Sequence, residues 1–481
     1  MNQPLRHVAL VVTMLFLLLF GSTTAIQVVQ QSRLDNDSRN ARAIYDDFGR
    51  PRGSLVVDGT PIASSSPTDD IYGQQRSYDP GMMYAPVTGH QSVVYGSTGL
   101  ERSLDAELSG DSDSLFLTRL TDVVSGRTSQ GATVDLTLDP RAQEAAWEAL
   151  KGRRGAVVAL DPRTGAVLAM VSAPSYDPNR MASHSGREVR EAWSELNEDR
   201  GRPLSNRAIA GDLYPPGSTF KLLVAASALE TGRYTKDSML PGPGTYRLPQ
   251  SRSVMNNHAS GGQEPCGPND SSTLQSALEQ SCNTTFAMLA GELGEDQLAS
   301  TVQEFGFGER LRIPLSVTPS RIGSDLDGAQ LASTAIGQYE DRVTPLQMAM
   351  VAGAVANDGV LVQPQLVQRV RAADLTTVSE LTPQEIGRPL TAANARQMRE
   401  MMTGVVTDGT GNGAAIDGVE VGGKTGTAEW AEGRAPHSWF VGYARTDERS
   451  VAVAVVVEEG GYGSQVAAPI AQDVMEAVVG R

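Results

Sequence analysis

Lysine is almost missing from this chain: there are four, Lys151, Lys221, Lys236 and Lys424, beside 36 arginines. Arginine cannot be deprotonated in a protein, so so strong a bias leaves few basic side chains able to exchange a proton. Cysteine is nearly absent too. The two residues, Cys266 and Cys282, form no Cys-x-x-Cys, and His7, His90, His184, His258 and His437 show no metal-ligand spacing. Neither a metal nor a cofactor is expected. Positive charge is outnumbered, with 40 basic against 56 acidic residues, a net charge of -16 and no local basic patch. That excludes a nucleic-acid surface, since nothing would offset phosphate repulsion. No internal repeat is present.

A hydrophobic content of 40% supports an ordinary packed core, and 481 residues exceed one average core, so two domains are expected. Residues 8–20, VALVVTMLFLLLF, are apolar but for Thr13, and residues 21–29 extend the run toward membrane-spanning length. With Arg6 and the free amine before it, this segment should enter a lipid bilayer with its N-terminus inside, as a single-pass anchor through residues 8–29 of a cell membrane protein. Thr23-Thr24-Ala25 also offers a small-residue cleavage site, so a removed signal peptide is the rival reading. On either reading the remainder is extracytoplasmic. In an oxidising compartment a cysteine pair invites a disulfide, whose loop of about 15 residues would stabilise by about 3 kcal/mol; two free thiols are the alternative.

The chain divides into residues 1–29, a cytoplasmic tip and transmembrane anchor; 30–150, a small non-catalytic domain; and 151–481, the domain that carries the chemistry. Residues 64–86, SSSPTDDIYGQQRSYDPGMMYAP, read as loop, so the first domain is expected to be irregular. The pattern sharpens at VDLTLD, residues 134–139, a strand. Pro140 opens a helix, and GAVVAL and GAVLAMVSA follow as a hairpin. Helical periodicity covers residues 220–235 and 273–293, around a Pro-, Gly- and Asn-rich loop whose length suggests a functional role. Strand patterns return in VEVGGKTGTAEW, SWFVGYA and VAVAVVVEE before a helical tail. Strands at both ends of a helical middle predict an α/β (α+β) fold, one mixed sheet flanked by helices.

Residues 418–425, GVEVGGKT, match the phosphate-cradling Gly-x-x-x-x-Gly-Lys-Thr, while Lys424-Thr425-Gly426 is the Lys-Thr-Gly of serine acyl enzymes. A phosphate loop needs a helix that begins at its Lys-Thr. Here Gly426, Thr427, Ala428, Glu429 and Trp430 follow without helical periodicity, and Val419 and Val421 alternate as in a strand. Lys424 is therefore expected in a strand, and no nucleotide is bound.

In YPPGSTFKLLVAASAL, Pro215-Pro216-Gly217 ends extended chain and a helix begins, placing Ser218 and Lys221 three apart on one face. A serine at a helix N-terminus lies in a field that favours an oxyanion, and a neutral lysine beside it can take its proton. Desolvation and the charge of Lys424 would keep Lys221 neutral. Taken alone, a Ser-x-x-Lys on a helix is more often mere surface. Ser281-Cys282-Asn283 lies between two helical segments, where the hydroxyl can relay a proton and the amide can hold Lys221 and a substrate carbonyl; helix capping is the plainer use of both. His437 follows Lys424 closely enough to line a cleft, although a structural histidine is the commoner case.

The order Ser-x-x-Lys, Ser-x-Asn, Lys-Thr-Gly resembles the penicillin-binding transpeptidases of class B, most closely their actinobacterial A-type branch. TGLE at residues 98–101, VDLTLDPRAQ, NRAIAGDLYPPGSTFK, AIGQ at 335–338 and HSWFVGYA strengthen the likeness, whereas RGSLVVDG at 52–59 matches the family's N-terminal pattern only in part. The resemblance implies a D,D-transpeptidase that cross-links peptidoglycan stem peptides. Ser218 is acylated, terminal D-alanine is expelled, and a second stem's amine resolves the acyl enzyme. It implies Lys221 as base, Ser281 as relay, Asn283 as substrate-orienting group, and Lys424, Thr425, Gly426 and Thr427 as the carboxylate-binding strand. The backbone N–H groups of Ser218 and Thr427 would form the oxyanion hole. It implies acylation by β-lactam antibiotics, a pedestal role for the first domain, division-machinery partners and a part in cell shape. A β-lactamase would need a deacylating glutamate, and no Glu-x-x-x-Asn lies between Asn283 and Lys424. A D,D-carboxypeptidase and a membrane-anchored sensor or scaffold are the remaining alternatives.

Overall fold

The computed structural model describes residues 3–30, 45, 48–112, 130–257, 262–311 and 313–480, so His258 lies outside the described residues. A helix at Gln3–Thr24 continues as a π-helical turn, and the unit Gln3–Val29 is long and apolar enough to cross a membrane.

A five-stranded sheet runs in the order Glu420–Ala428, His437–Arg445, Ser450–Val457, Gly155–Leu160, Val167–Ala173. The expected hairpin after the helix is present, Gly155–Leu160 against Val167–Ala173. Both faces of the sheet are covered, which is why its strands read as continuous apolar runs. Ala156, Val158 and Leu160 face the core around Lys221–Glu230 and Pro345–Ala356, whereas Val157 and Ala159 face Pro140–Ala149 and Ala467–Val479. Pro140 takes the first helical position and the Asp139 carboxylate accepts from the N–H groups of Arg141 and Ala142, 2.8 and 3.3 Å away.

Every pairing in this sheet is antiparallel. Three of its four strand pairs are neighbours in sequence, and the fourth joins the two ends of the domain, so no crossover is required. The mixed pairing lies in a second sheet. Its order is Thr377–Glu380, Val367–Arg371, Thr133–Leu136, Leu55–Val57, Thr60–Pro67, Gln74–Tyr78, with Leu55–Val57 parallel to Thr133–Leu136.

This second sheet corrects one expectation and reaches beyond the first part of the chain. Residues 64–86 are not mainly loop: they hold half of the strand Thr60–Pro67, the strand Gln74–Tyr78 and most of the helix Gly81–Thr88. An inward position of Gln74–Tyr78 carries Arg76, 2% exposed and paired to Glu101, so burial here leaves no apolar alternation to read. The sheet is also not confined to the first part of the chain. The strands Val367–Arg371 and Thr377–Glu380 join it from far downstream, and Arg369 and Arg371 pair with Asp135 across the junction.

Candidate active site

Ser218 stands in a 3-10 turn, Gly217–Phe220, that runs directly into the helix Lys221–Glu230. The turn is held from two sides. The Gly217 N–H donates to Gly337 O at 2.9 Å, and Gly217, at φ 55°, lies so close to the outer strand that a Cβ would meet Thr427 O at 3.0 Å. A glycine is required there on both counts. Ser218 remains partly exposed, whereas Lys221 is fully buried.

Lys221 Nζ lies 2.7 Å from Ser281 O, 2.7 Å from Asn283 Oδ1 and 3.3 Å from Ser281 Oγ, and 5.7 Å from the centre of the Phe286 ring. All three oxygens are uncharged. The amine donates to the Ser281 carbonyl, the Asn283 side-chain carbonyl and the Ser281 hydroxyl oxygen, and no carboxylate is among these partners. Burial, and secondarily the neighbouring Lys424, push the Lys221 amine well below its ordinary value. Ser218 and Lys221 share a helical face as expected, yet no hydrogen bond joins them among the described residues; the lysine is held by the Ser-x-Asn turn instead.

That turn lies between the helices Leu274–Glu279 and Asn283–Leu293. Ser281 adopts φ 61°, uncommon outside glycine, which turns the chain so that its carbonyl and hydroxyl both face Lys221. The capping reading fails. Cys282 occupies the N-cap position with no side-chain cap, and Asn283, the first helical residue, spends its amide on Lys221 and on Asn256 O, 3.2 Å away. Asn256 and Asn257 belong to the long loop, whose Asn257 O accepts from the Asn283 N–H at 3.0 Å. Cys266 of the same loop is joined to Cys282 in a disulfide with Cα atoms 6.1 Å apart, and both residues are buried.

Lys424, Thr425, Gly426 and Thr427 all lie in the edge strand Glu420–Ala428, so the phosphate-loop frame is excluded. Its extra glycines have a packing purpose. A Cβ at Gly422 would come within 2.6 Å of the Tyr443 ring, and one at Gly423 would run into Phe440. Gly426 admits the nucleophile turn, since a Cβ would lie 2.9 Å from Thr219 Cγ2 and 3.0 Å from Pro216 O. Lys424 is fully buried, donates to Thr425 O at 3.1 Å, and is lowered by burial to about 7. Neither Lys221 nor Lys424 has a carboxylate partner among the described residues.

His437 does not serve the cleft. It is buried, its Nδ1 accepts from the Glu459 N–H at 3.1 Å, and its ring stacks on Trp430 at 5.2 Å. Two contributors escaped sequence reasoning. Phe286 sits over the Lys221 amine, and Thr410 shares a 2.7 Å hydroxyl contact with Thr425. The only available signal for the second was the glycine-flanked DGTG at residues 408–411.

A serine at a helix start, a buried lysine without an acid partner, a second serine hydroxyl beside that lysine and a lysine-bearing edge strand on an antiparallel sheet define a serine acyltransferase of the penicillin-recognising kind. Residues 155–476 match the penicillin-binding protein transpeptidase domain, and residues 52–134 the penicillin-binding protein A dimerisation domain. The chain belongs to the penicillin-binding protein transpeptidase family. It is 41% identical to the peptidoglycan D,D-transpeptidase PbpA of Mycolicibacterium smegmatis, across 100% of this chain and 99% of the relative. The corresponding protein of Mycobacterium tuberculosis H37Rv is 38% identical over the same shares. The ceftriaxone acyl-enzyme complex of penicillin-binding protein A from M. tuberculosis superposes with a TM-score of 0.86 at 39% identity, covering 90% of this chain and 100% of that one.

Proposed function

We propose that the protein is a peptidoglycan D,D-transpeptidase working through an acyl enzyme on Ser218. The observation that carries this reading is a fully buried Lys221 with no acid beside it, set at the start of the serine-bearing helix. Its neutral amine takes the Ser218 proton as Oγ attacks the carbonyl carbon of the penultimate D-alanine. The carbon–nitrogen bond breaks, and the expelled D-alanine amine receives a proton through Ser281. A second stem's amine then attacks the ester and returns the proton to Ser218, closing the cross-link. The N–H groups of Ser218 and Thr427 hold the developing oxyanion. Asn283 orients the peptide, and Lys424, Thr425 and Thr427 bind its carboxylate beside Gly426. A β-lactam follows the first half of this path and stays on the serine.

Residues 8–29 anchor the chain in the cell membrane by a single pass, with residues 151–481 outside as the catalytic domain on a pedestal of residues 30–150. Division-machinery proteins are the expected partners of that pedestal, and cell division and shape the processes served. Incubating the full chain with a labelled penicillin, then mapping the adduct by mass, tests the chemistry. A stable adduct on Ser218 that Ser218→Ala abolishes is expected; no adduct, or one on another residue, would overturn it.

A further inference from the structure

The outer strand does not meet the cleft alone. Between the helix Ala392–Thr407 and the short 3-10 turn Asn412–Ala414 the chain passes through Asp408-Gly409-Thr410-Gly411, and Thr410 Oγ1 lies 2.7 Å from Thr425 Oγ1. The segment is clamped to the end of the helix that precedes Ser281. The Thr410 N–H donates to Glu279 O at 3.2 Å, and a Cβ at Gly409 would lie 2.5 Å from that oxygen. At Gly404 a Cβ would strike the Glu279 carboxylate, which is itself held by Gln275 Nε2 at 2.8 Å. The Gly411 N–H donates to Val405 O at 2.8 Å. Thr410 therefore ties the Ser-x-Asn segment to the Lys-Thr-Gly strand, and its backbone has little room to move.

We infer that Thr410 is a positioning residue that fixes the hydroxyl of Thr425 for the substrate carboxylate. Each hydroxyl has one proton and two acceptor sites, so a contact of this length uses one proton and leaves one. With Thr410 donating, the Thr425 oxygen is held in one rotamer and its proton points into the cleft, ready for an anionic acceptor. A threonine side chain is stiff about its first torsion, which makes this arrangement defined before substrate arrives. The inference rests on Thr425 as a carboxylate binder.

Acylation of the full chain by benzylpenicillin and by its methyl ester separates the two ideas, because the ester lacks the anion but keeps the reactive ring. Thr410→Val is expected to lower the acylation rate over the dissociation constant by about fivefold for the acid, the size of one lost hydrogen bond, and leave the ester unchanged. Thr410→Ser should keep the acid rate. Equal losses for acid and ester in Thr410→Val, or no loss for either, would overturn the role while Thr425→Val still discriminates. If Thr425→Val also treats both compounds alike, the carboxylate reading fails and takes this inference with it.

Discussion

Two groups of cations are buried in this molecule, and they are solved in opposite ways. In the N-terminal domain, Arg52 Nε and Arg76 Nε enclose the fully buried carboxylate of Glu101 at 2.6 and 2.7 Å, with Tyr78 Oη 3.3 Å from the same group. Burial alone would push the Glu101 carboxyl up, but Arg76 and Arg52 hold it below its ordinary value. In the cleft, Lys221 and Lys424 are equally buried with no acid to meet them, and both are pushed down. Desolvation penalises charge in both places. Where an opposite charge answers it, the ion pair persists and holds the N-terminal domain together; where none does, the lysine's affinity for its proton falls. The residue types fit, since arginine keeps its charge and lysine need not.

Exchanging the chemistries should break the contrast most severely at Lys221. Lys221→Arg keeps positive charge and removes the base, so acylation by penicillin should fall about 10³-fold, as followed by intact mass against time. Ready acylation of the arginine variant would sink the neutral-base claim. Glu101→Gln should instead act on stability. Two guanidiniums facing a neutral amide cost about 3–5 kcal/mol in urea unfolding, with acylation per folded molecule unchanged. The Ser-Cys-Asn turn is stapled covalently rather than by ions, and replacing both Cys266 and Cys282 by serine should lower stability by about 3 kcal/mol in the same assay.

The smallest effect is a difference in pH profile. Acylation rises as Lys221 loses its proton, and for anionic penicillin it should fall above about 7 as Lys424 loses the charge that holds the carboxylate. The methyl ester should lack that upper limb. Stability moves the other way. Because the folded Lys424 sits below its unfolded value, the unfolded chain binds more protons from about 7 to 10.5, and this residue's contribution to stability grows across that window. Lys424→Met should remove both trends.

What could be read beforehand followed local chemistry. Pro140 announced a helix, GAVVAL and GAVLAMVSA a hairpin, and the strand alternation around Lys424 excluded a phosphate loop. The three motifs come together in one cleft region, Ser218 and Lys221 at the start of one helix, Ser281 and Asn283 at the start of another, and Lys424 to Thr427 on the edge strand. The second sheet was illegible for two reasons: its inward Arg76 breaks apolar alternation, and its partners at residues 367–380 are more than 200 positions from Asp135, a pairing that no local pattern records. Thr410 was missed on the same ground, because its meaning depends on which hydroxyl the fold places beside it. Gly423 matches a phosphate loop in pattern, yet it and Gly422 make room for Phe440 and Tyr443.

The scarcity of lysine makes the central point directly measurable. In the full chain carrying carbon-13 at lysine Cε there are four side-chain signals to follow by NMR against pH, and Lys221→Arg and Lys424→Arg assign two of them. The Lys424 signal should titrate near 7 and the Lys221 signal well below 10.5. If both instead titrate at the ordinary 10.5, Lys221 is an ammonium at working pH and cannot be the base that takes the proton of Ser218.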